Sequence, residues 1–204
     1  MATGLKTSLN SVGQALDADF VGCSAFTRVE EGGYVDDPRD TGNWTGGAVG
    51  SGVLVGSNMG VGAPALAAWM KTSSLTVDTM KKLSFAMYSA IAKAQYWNPM
   101  ACDDMPHGID LMLFDFGWNR GTGTSVRLLQ RVLDVGQDGL CGPNTIRAAH
   151  RHAAAGLVRD LAAGQAASYR SLHNFSIYGE GWLARTGRRQ IQAAKRCADG
   201  LSSF

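Results

Sequence analysis

The run Ile109-Asp110-Leu111-Met112-Leu113-Phe114-Asp115-Phe116 is apolar almost all the way round a helical wheel. That is the pattern of a helix buried on every side, not of one lying on a surface. Such a helix needs other elements around it, and the chain has room for them. Its 204 residues suffice for one substantial core or two small ones that share an interface. With 45% hydrophobic and 18% charged residues it reads as globular and not as disordered. A net charge of +2 is too weak a bias to argue for nucleic acid.

Three textures follow one another. Ala18 to Val29 reads as a helix with Phe20, Val21, Ala25 and Val29 available to one side, broken by Gly32-Gly33. A Gly-rich, acid-rich stretch from Tyr34 to Gly62 follows. Its alternating piece Val49-Gly50-Ser51-Gly52-Val53-Leu54-Val55 predicts a hairpin or a small irregular sheet. After Pro64 the chain is helical nearly to its end. Thr76 can cap one helix carrying Val77, Met80, Leu83, Met87, Ile91 and Ala94 and stopping by Pro99. Further helices fit Ser125–Val135, Pro143–Ala155, Leu157–Leu172 and Gly181–Ala198, with a turn at Asp138-Gly139.

The N-terminal residues Leu5, Leu9, Val12, Leu16 and Phe20 fall at helical spacing, which fits a docked amphipathic helix or a membrane-active tail. The N-terminus has no apolar stretch of the ~7–15 residues typical of a secretory signal. Nor does any run approach the ~18 residues of a membrane span. Cys23, Cys102, Cys141 and Cys197 stand far apart, without zinc-ligand spacing; they are either reduced, buried thiols or disulfides in one of three connectivities. His150 and His152 face different ways on a helix, and His107 and His173 are isolated, so no metal is expected.

The segment Glu30-Glu31-Gly32-Gly33-Tyr34-Val35-Asp36-Asp37-Pro38-Arg39-Asp40-Thr41-Gly42-Asn43-Trp44-Thr45-Gly46-Gly47 carries the chemistry. Glycoside hydrolysis needs one carboxylic acid protonated near neutral pH and a second polar group to position water. Glu31 sits at an expected helix C-terminus, where the dipole and the neighbouring carboxylates both favour the protonated form. Tyr34 and Trp44 offer flat faces for sugar rings. By composition alone, an acidic solvated loop or a cation site is the simpler reading.

The string Glu-Gly-Gly-Tyr-Val, then Asp-Pro-x-Asp, then Trp-Thr-Gly-Gly resembles the active-site segment of the glycoside hydrolase family 108 N-acetylmuramidases. The family is found in phage lysins and related bacterial proteins. The resemblance is strong over residues 26–98 and includes Tyr96-Trp97; Gly60-Val61-Gly62-Ala63 departs from the family's usual Gly-Ile-Thr or Gly-Ile-Ser. It implies a catalytic glutamate at Glu31, with Asp40 and Thr45 at the family's Asp and Thr. Relative to the Glu–Asp–Thr triad of phage-type lysozymes, Thr45 comes one residue early. Asp115-Phe116-Gly117-Trp118-Asn119-Arg120-Gly121, Leu128-Leu129-Gln130, Asp138-Gly139, Thr145 and Gly179-Glu180-Gly181-Trp182-Leu183-x-Arg185 resemble the peptidoglycan-binding region that usually follows. Of these, Trp118 and Asn119 are the candidates for sugar contact.

The resemblance implies a mainly α (α+β), lysozyme-like helical fold with a small Gly-rich hairpin or irregular sheet beside the active site. The expected organisation is an N-terminal helical extension (1–20), a catalytic region (21–100) and a helical peptidoglycan-binding-like region sharing the same core (101–204). The implied activity is cleavage of the β-1,4 bond between N-acetylmuramic acid and N-acetylglucosamine, without a cofactor, by a monomer acting on peptidoglycan glycan strands. The rivals are a lytic transglycosylase and a non-catalytic wall-binding or phage structural protein. No nucleic-acid partner or stable membrane anchor is expected. The chain is expected to be made in the host cytoplasm and to reach the wall through a holin, a secretion apparatus or a virion.

Overall fold

A computed structural model describes the backbone of residues 4–201 and the side chains of residues 18–199. It is mainly helical, as expected of a lysozyme-like chain. The helices are α1 (Gly4–Glu31), α2 (Ala63–Met70), α3 (Val77–Lys81), α4 (Phe85–Ala92), α5 (Ile109–Arg120), α6 (Thr122–Val132), α7 (Pro143–Arg151), α8 (Ala154–Arg170) and α9 (Phe175–Leu201). None of the described helices is long and apolar enough to cross a membrane. The expected apolar face at Leu5, Leu9, Val12 and Leu16 lies outside the described side chains. Packing divides the chain into a unit of residues 25–92 and a helical unit of residues up to 24 and from 93 onward.

In the helical unit α5 has the all-round burial its sequence demands, with Ile109 through Trp118 buried. The rings of Phe20, Trp97 and Phe114 meet edge to face at 5.4–6.1 Å. Such pairs contribute about 0.5–1.5 kcal/mol each beyond the area they bury. Asp115 lies in the middle of α5 with no exposure, a position an ion tolerates only when it is paired. Arg185 supplies the pair through two contacts, Nε to Oδ2 at 3.0 Å and Nη2 to Oδ1 at 2.6 Å, while Arg189 Nε reaches Oδ2 at 2.6 Å. Arg189 also donates to Gln165, whose amide donates to the Met112 carbonyl at 2.9 Å. These bonds tie α5, α8 and α9 together.

Several elements differ from expectation, for local reasons. On α1 the buried residues are Phe20, Cys23, Ser24 and Thr27, whereas Val21 and Val29 are exposed. The single helix expected after Thr76 is two. Thr76 caps α3 through the Thr79 N–H at 3.1 Å, and the Ser84 hydroxyl accepts from Met87 N–H at 3.1 Å and starts α4. The helix expected over Pro143–Ala155 ends at Arg151 because His152 is extended, and α8 begins at Ala154. In the other direction, α9 starts six residues before the expected Gly181. Its Gly179 lies under the Phe175 ring, so the glycine serves packing and not a break.

The 25–92 unit has little regular structure beyond α2, α3, α4 and the end of α1. Its Gly-rich stretch makes isolated antiparallel bridges, Val35 with Ser57, Trp44 with Leu54 and Asn58 with Val61. The alternating piece at Val49–Val55 is not itself a strand: Val49 and Val53 are exposed, and only its end pairs with Trp44-Thr45. Beneath these loops Val55, Val61, Leu66, Met80, Tyr88 and Ile91 are buried. Asn58 joins loop to helix by donating to the Met80 carbonyl at 3.0 Å.

The four cysteines are unpaired; Cys23, Cys102 and Cys197 are buried and Cys141 is half-buried. Burial pushes all four thiols up, Cys141 to about 11.

Candidate active site

Glu31 is the last residue of α1, and Gly32 follows it at φ +74°, a left-handed turn that a side chain would strain. The helix therefore delivers Glu31 half-buried to its C-terminal end, and the chain leaves it in a tight, open turn.

Asp40 is fixed by a different device. Its Oδ1 accepts from the Gly42 N–H at 2.8 Å and caps the 3₁₀ turn Thr41–Asn43. Its Oδ2 has no partner among the described residues, and the residue is exposed, so that oxygen faces water. Trp44 follows, its indole N–H bound to the Pro38 carbonyl at 2.9 Å. The Thr45 hydroxyl accepts from Val53 N–H at 2.9 Å, and Thr45 N–H donates to the Val53 carbonyl at 3.0 Å. Thr45 thus closes the Gly46–Gly52 loop and keeps its hydroxyl proton to donate.

Tyr34 is half-buried and held from three directions. Its hydroxyl donates to the Val55 carbonyl at 3.2 Å, Lys81 Nζ lies 4.8 Å from the ring centre, and Gly56 packs against the ring edge. A Cβ on Gly56 would come within 2.6 Å of Tyr34 Cε2 and of the Val35 carbonyl oxygen. Burial and the neighbouring Asp36 raise the phenol's pKa. Asp37 is occupied by the Arg39 guanidinium, 2.7 Å away, which lowers its pKa to about 2.

One organising residue escapes a search for acids and aromatics. Asn43 is fully buried; its amide donates to the Asp37 carbonyl at 3.0 Å, and its own carbonyl accepts from Val55 and Gly56 N–H at 3.0 and 3.1 Å. It clasps the segment holding Asp40 to the segment beneath Tyr34. Its only trace in the sequence is its place in Thr-Gly-Asn-Trp.

Glu31, Tyr34, Asp40, Trp44 and Thr45 all belong to the 25–92 unit, whereas Trp118 and Asn119 belong to the helical unit. Trp118 is only 9% exposed and packs on Phe114 and on Tyr96, whose ring centre lies 4.5 Å away. Little of its face is available to a sugar; the half-buried Tyr96 offers more. Asn119 is exposed, and with its amide turned to suit its neighbours the oxygen accepts from Arg185 at 2.9 and 3.0 Å. Asn119 is therefore the outer end of the buried Asp115–Arg185 pair.

His107 is isolated in sequence but not in space. Its ring and the carboxylates of Asp19 and Asp110 put ligand atoms within 4.8 Å of one another. The charge there is already met by Arg196, whose Nη2 reaches Asp19 at 2.7 Å and Asp110 at 2.6 Å. We assign this cluster to structure and not to a metal.

The family model Glycosyl hydrolase 108 matches residues 24–121, which takes in every residue of this site. A solved structure, that of SagA from Brucella abortus, is 30% identical to this chain, with a TM-score of 0.76 over 89% of this chain and 97% of that one. No curated protein matches. The chain belongs to the glycosyl hydrolase 108 family, and it is a glycosidase directed at peptidoglycan.

Proposed function

We propose that the protein is an N-acetylmuramidase that hydrolyses the β-1,4 bond between N-acetylmuramic acid and N-acetylglucosamine. Glu31 protonates the leaving oxygen. Asp40 holds the attacking water through Oδ2 and takes its proton, while the Thr45 hydroxyl donates a hydrogen bond to that water or to the sugar. Tyr34 and Trp44 contact sugar rings, and Asn119 is the residue of the helical unit open to a sugar contact. In the chain's partition of labour, residues 21–100 carry the catalysis and 101–204 the grip on the wall.

The observation that carries this reading is the pair of differently held carboxyl groups. Glu31 is half-buried at a helix C-terminus, where partial negative charge favours the protonated form. Asp40 is exposed, with one oxygen held by the Gly42 N–H and the other open to water. One carboxyl group to give a proton and a second to hold water are what the hydrolysis needs. Asp40 also favours hydrolysis over transglycosylation, since a transglycosylase uses the muramic acid's own 6-hydroxyl group and needs no residue to hold water.

Digestion of purified cell walls in heavy-oxygen water tests the proposal. The expected product is muropeptide with one labelled oxygen at the reducing end of N-acetylmuramic acid. Unlabelled 1,6-anhydro sugars as the main product would overturn hydrolysis. Label on N-acetylglucosamine would overturn the choice of bond, and no release of muropeptides would leave a wall-binding protein.

A further inference from the structure

The helical unit carries a groove between α6 and α8 that the catalytic reading does not use. Its volume is about 490 Å³. The groove is within the range of roughly 300–1,000 Å³ usual for small-ligand sites. Thr124, Arg127 and Arg131 come from α6 at spacings of three and four, so they share one wall. Gly164, Ser168 and Ser171 form the other side, and Gly164 lets α8 approach Leu128 closely enough that a Cβ there would meet its Cδ1 at 2.6 Å.

The two guanidinium groups are exposed, and neither is ion-paired to a carboxylate among the described residues. They are propped from the far side by the turn after α6. Arg127 Nη2 donates to the Asp138 carbonyl at 3.4 Å, and Arg131 Nε to Gln137 Oε1 at 3.4 Å. The Asp138 carboxylate accepts from Gln130 at 2.7 Å and from Leu140 N–H at 2.8 Å, and Arg127 acts on it electrostatically without a direct ion pair. The result is a groove with two cations on the α6 wall and Ser168 and Ser171 on the α8 wall, the Ser171 hydroxyl donating to the Ser168 carbonyl at 2.8 Å.

We propose that this groove binds the carboxylates of peptidoglycan stem peptides, so that the helical unit grips the peptide part of the wall while the 25–92 unit acts on the glycan. Charge complementarity points to this ligand. A stem peptide is short and carries several carboxylates at known spacing along its backbone, and guanidinium groups match carboxylates in a two-pronged geometry. The hydroxyls of Thr124 and Ser168 suit the peptide's amides. This inference rests on the reading of the protein as a wall glycosidase.

The test uses the full chain carrying Glu31→Gln, to prevent digestion, and measures its co-sedimentation with two probes. One is intact cell wall; the other is the same glycan stripped of stem peptides by an amidase. Adding Arg127→Gln with Arg131→Gln should weaken retention on intact wall about five- to tenfold, as expected for the loss of two accessible ion pairs. Retention on stripped glycan should not change. Arg147→Gln with Arg151→Gln, an equal loss of exposed charge on α7, should behave as the parent. Free L-Ala-γ-D-Glu-diaminopimelate should displace the parent and not the groove variant. Equal retention of parent and groove variant on intact wall would overturn the proposal, as would an equal loss on both probes or with the control pair. Absence of parent retention on intact wall would overturn it too. Muropeptide release by the wild-type chain is read separately, so failure of the groove and failure of the proposed activity give different results.

Discussion

In residues 25–92 the site is shaped by backbone groups, and in the helical unit the core is fixed by buried ions. Asp40, Thr45 and Asn43 each spend a side-chain atom on a main-chain partner. Gly52 and Gly56 take left-handed turns beside Val53 and Val55, where the loop's main-chain bonds are made. Asp115, Arg185 and Arg189 instead satisfy one another out of water. The difference follows from what surrounds each. A loop with few apolar residues can hold its form only through hydrogen bonds, each worth about 0.5–1.5 kcal/mol net. A packed helical core can enclose an ion pair, and then depends on neither partner being lost. The first arrangement leaves functional groups in contact with solvent; the second sets the register of three helices.

The sharpest way to break the comparison is Asp115→Asn, which leaves two buried guanidinium groups against a neutral amide. Loss of one partner of a buried pair costs about 3–5 kcal/mol, so urea unfolding should show a loss of that size. A loss below about 1 kcal/mol would mean that the buried ions do not organise the helical unit.

Glycine substitutions should then change sign between the two regions. At Gly56 a Cβ meets the Tyr34 ring and the Val35 carbonyl, and φ is +82°. Gly56→Ala should therefore cost about 1–3 kcal/mol. Gly181 lies within α9 with open space around it, so Gly181→Ala should stabilise by about 0.5–1 kcal/mol. Thermal melting of the two variants checks this, and shifts of the same sign would contradict it.

A smaller effect is expected at Thr45. Thr45→Val removes the acceptor for Val53 N–H and should cost about 0.5–1.5 kcal/mol, with faster amide exchange at Val53. Thr45→Ser should restore both. If activity falls with Thr45→Val and returns with Thr45→Ser while stability stays constant, the hydroxyl acts on substrate and not on the loop.

The same contrast explains how much could be read in advance. α5 was legible because an apolar run with no polar face permits one outcome. The acidic segment was legible as a motif, through Glu31-Gly32-Gly33-Tyr34 and Trp44-Thr45. Its bridges were not, because Gly-rich stretches pair through backbone groups that every residue carries. The pairing of Asp115 with Arg185 and Arg189 spans 70 and 74 residues, and no local pattern signals it. The split between α3 and α4 turned on Ser84, whose capping bond overrode an unbroken helical periodicity. At the last helix the expected start at Gly181 is six residues late: α9 begins at Phe175, whose ring packs over Gly179.

The claim on which the account turns is that Glu31, and not its neighbour, is the acid. Initial rates of muropeptide release from purified walls should be compared for Glu31→Gln and Glu30→Gln, each shown by melting to be folded. General acid catalysis contributes about 10²–10⁴-fold, so Glu31→Gln should fall by at least the lower of these, while Glu30→Gln stays near the wild-type rate. Retention of a tenth of the activity by Glu31→Gln, or an equal loss in Glu30→Gln, would contradict the account.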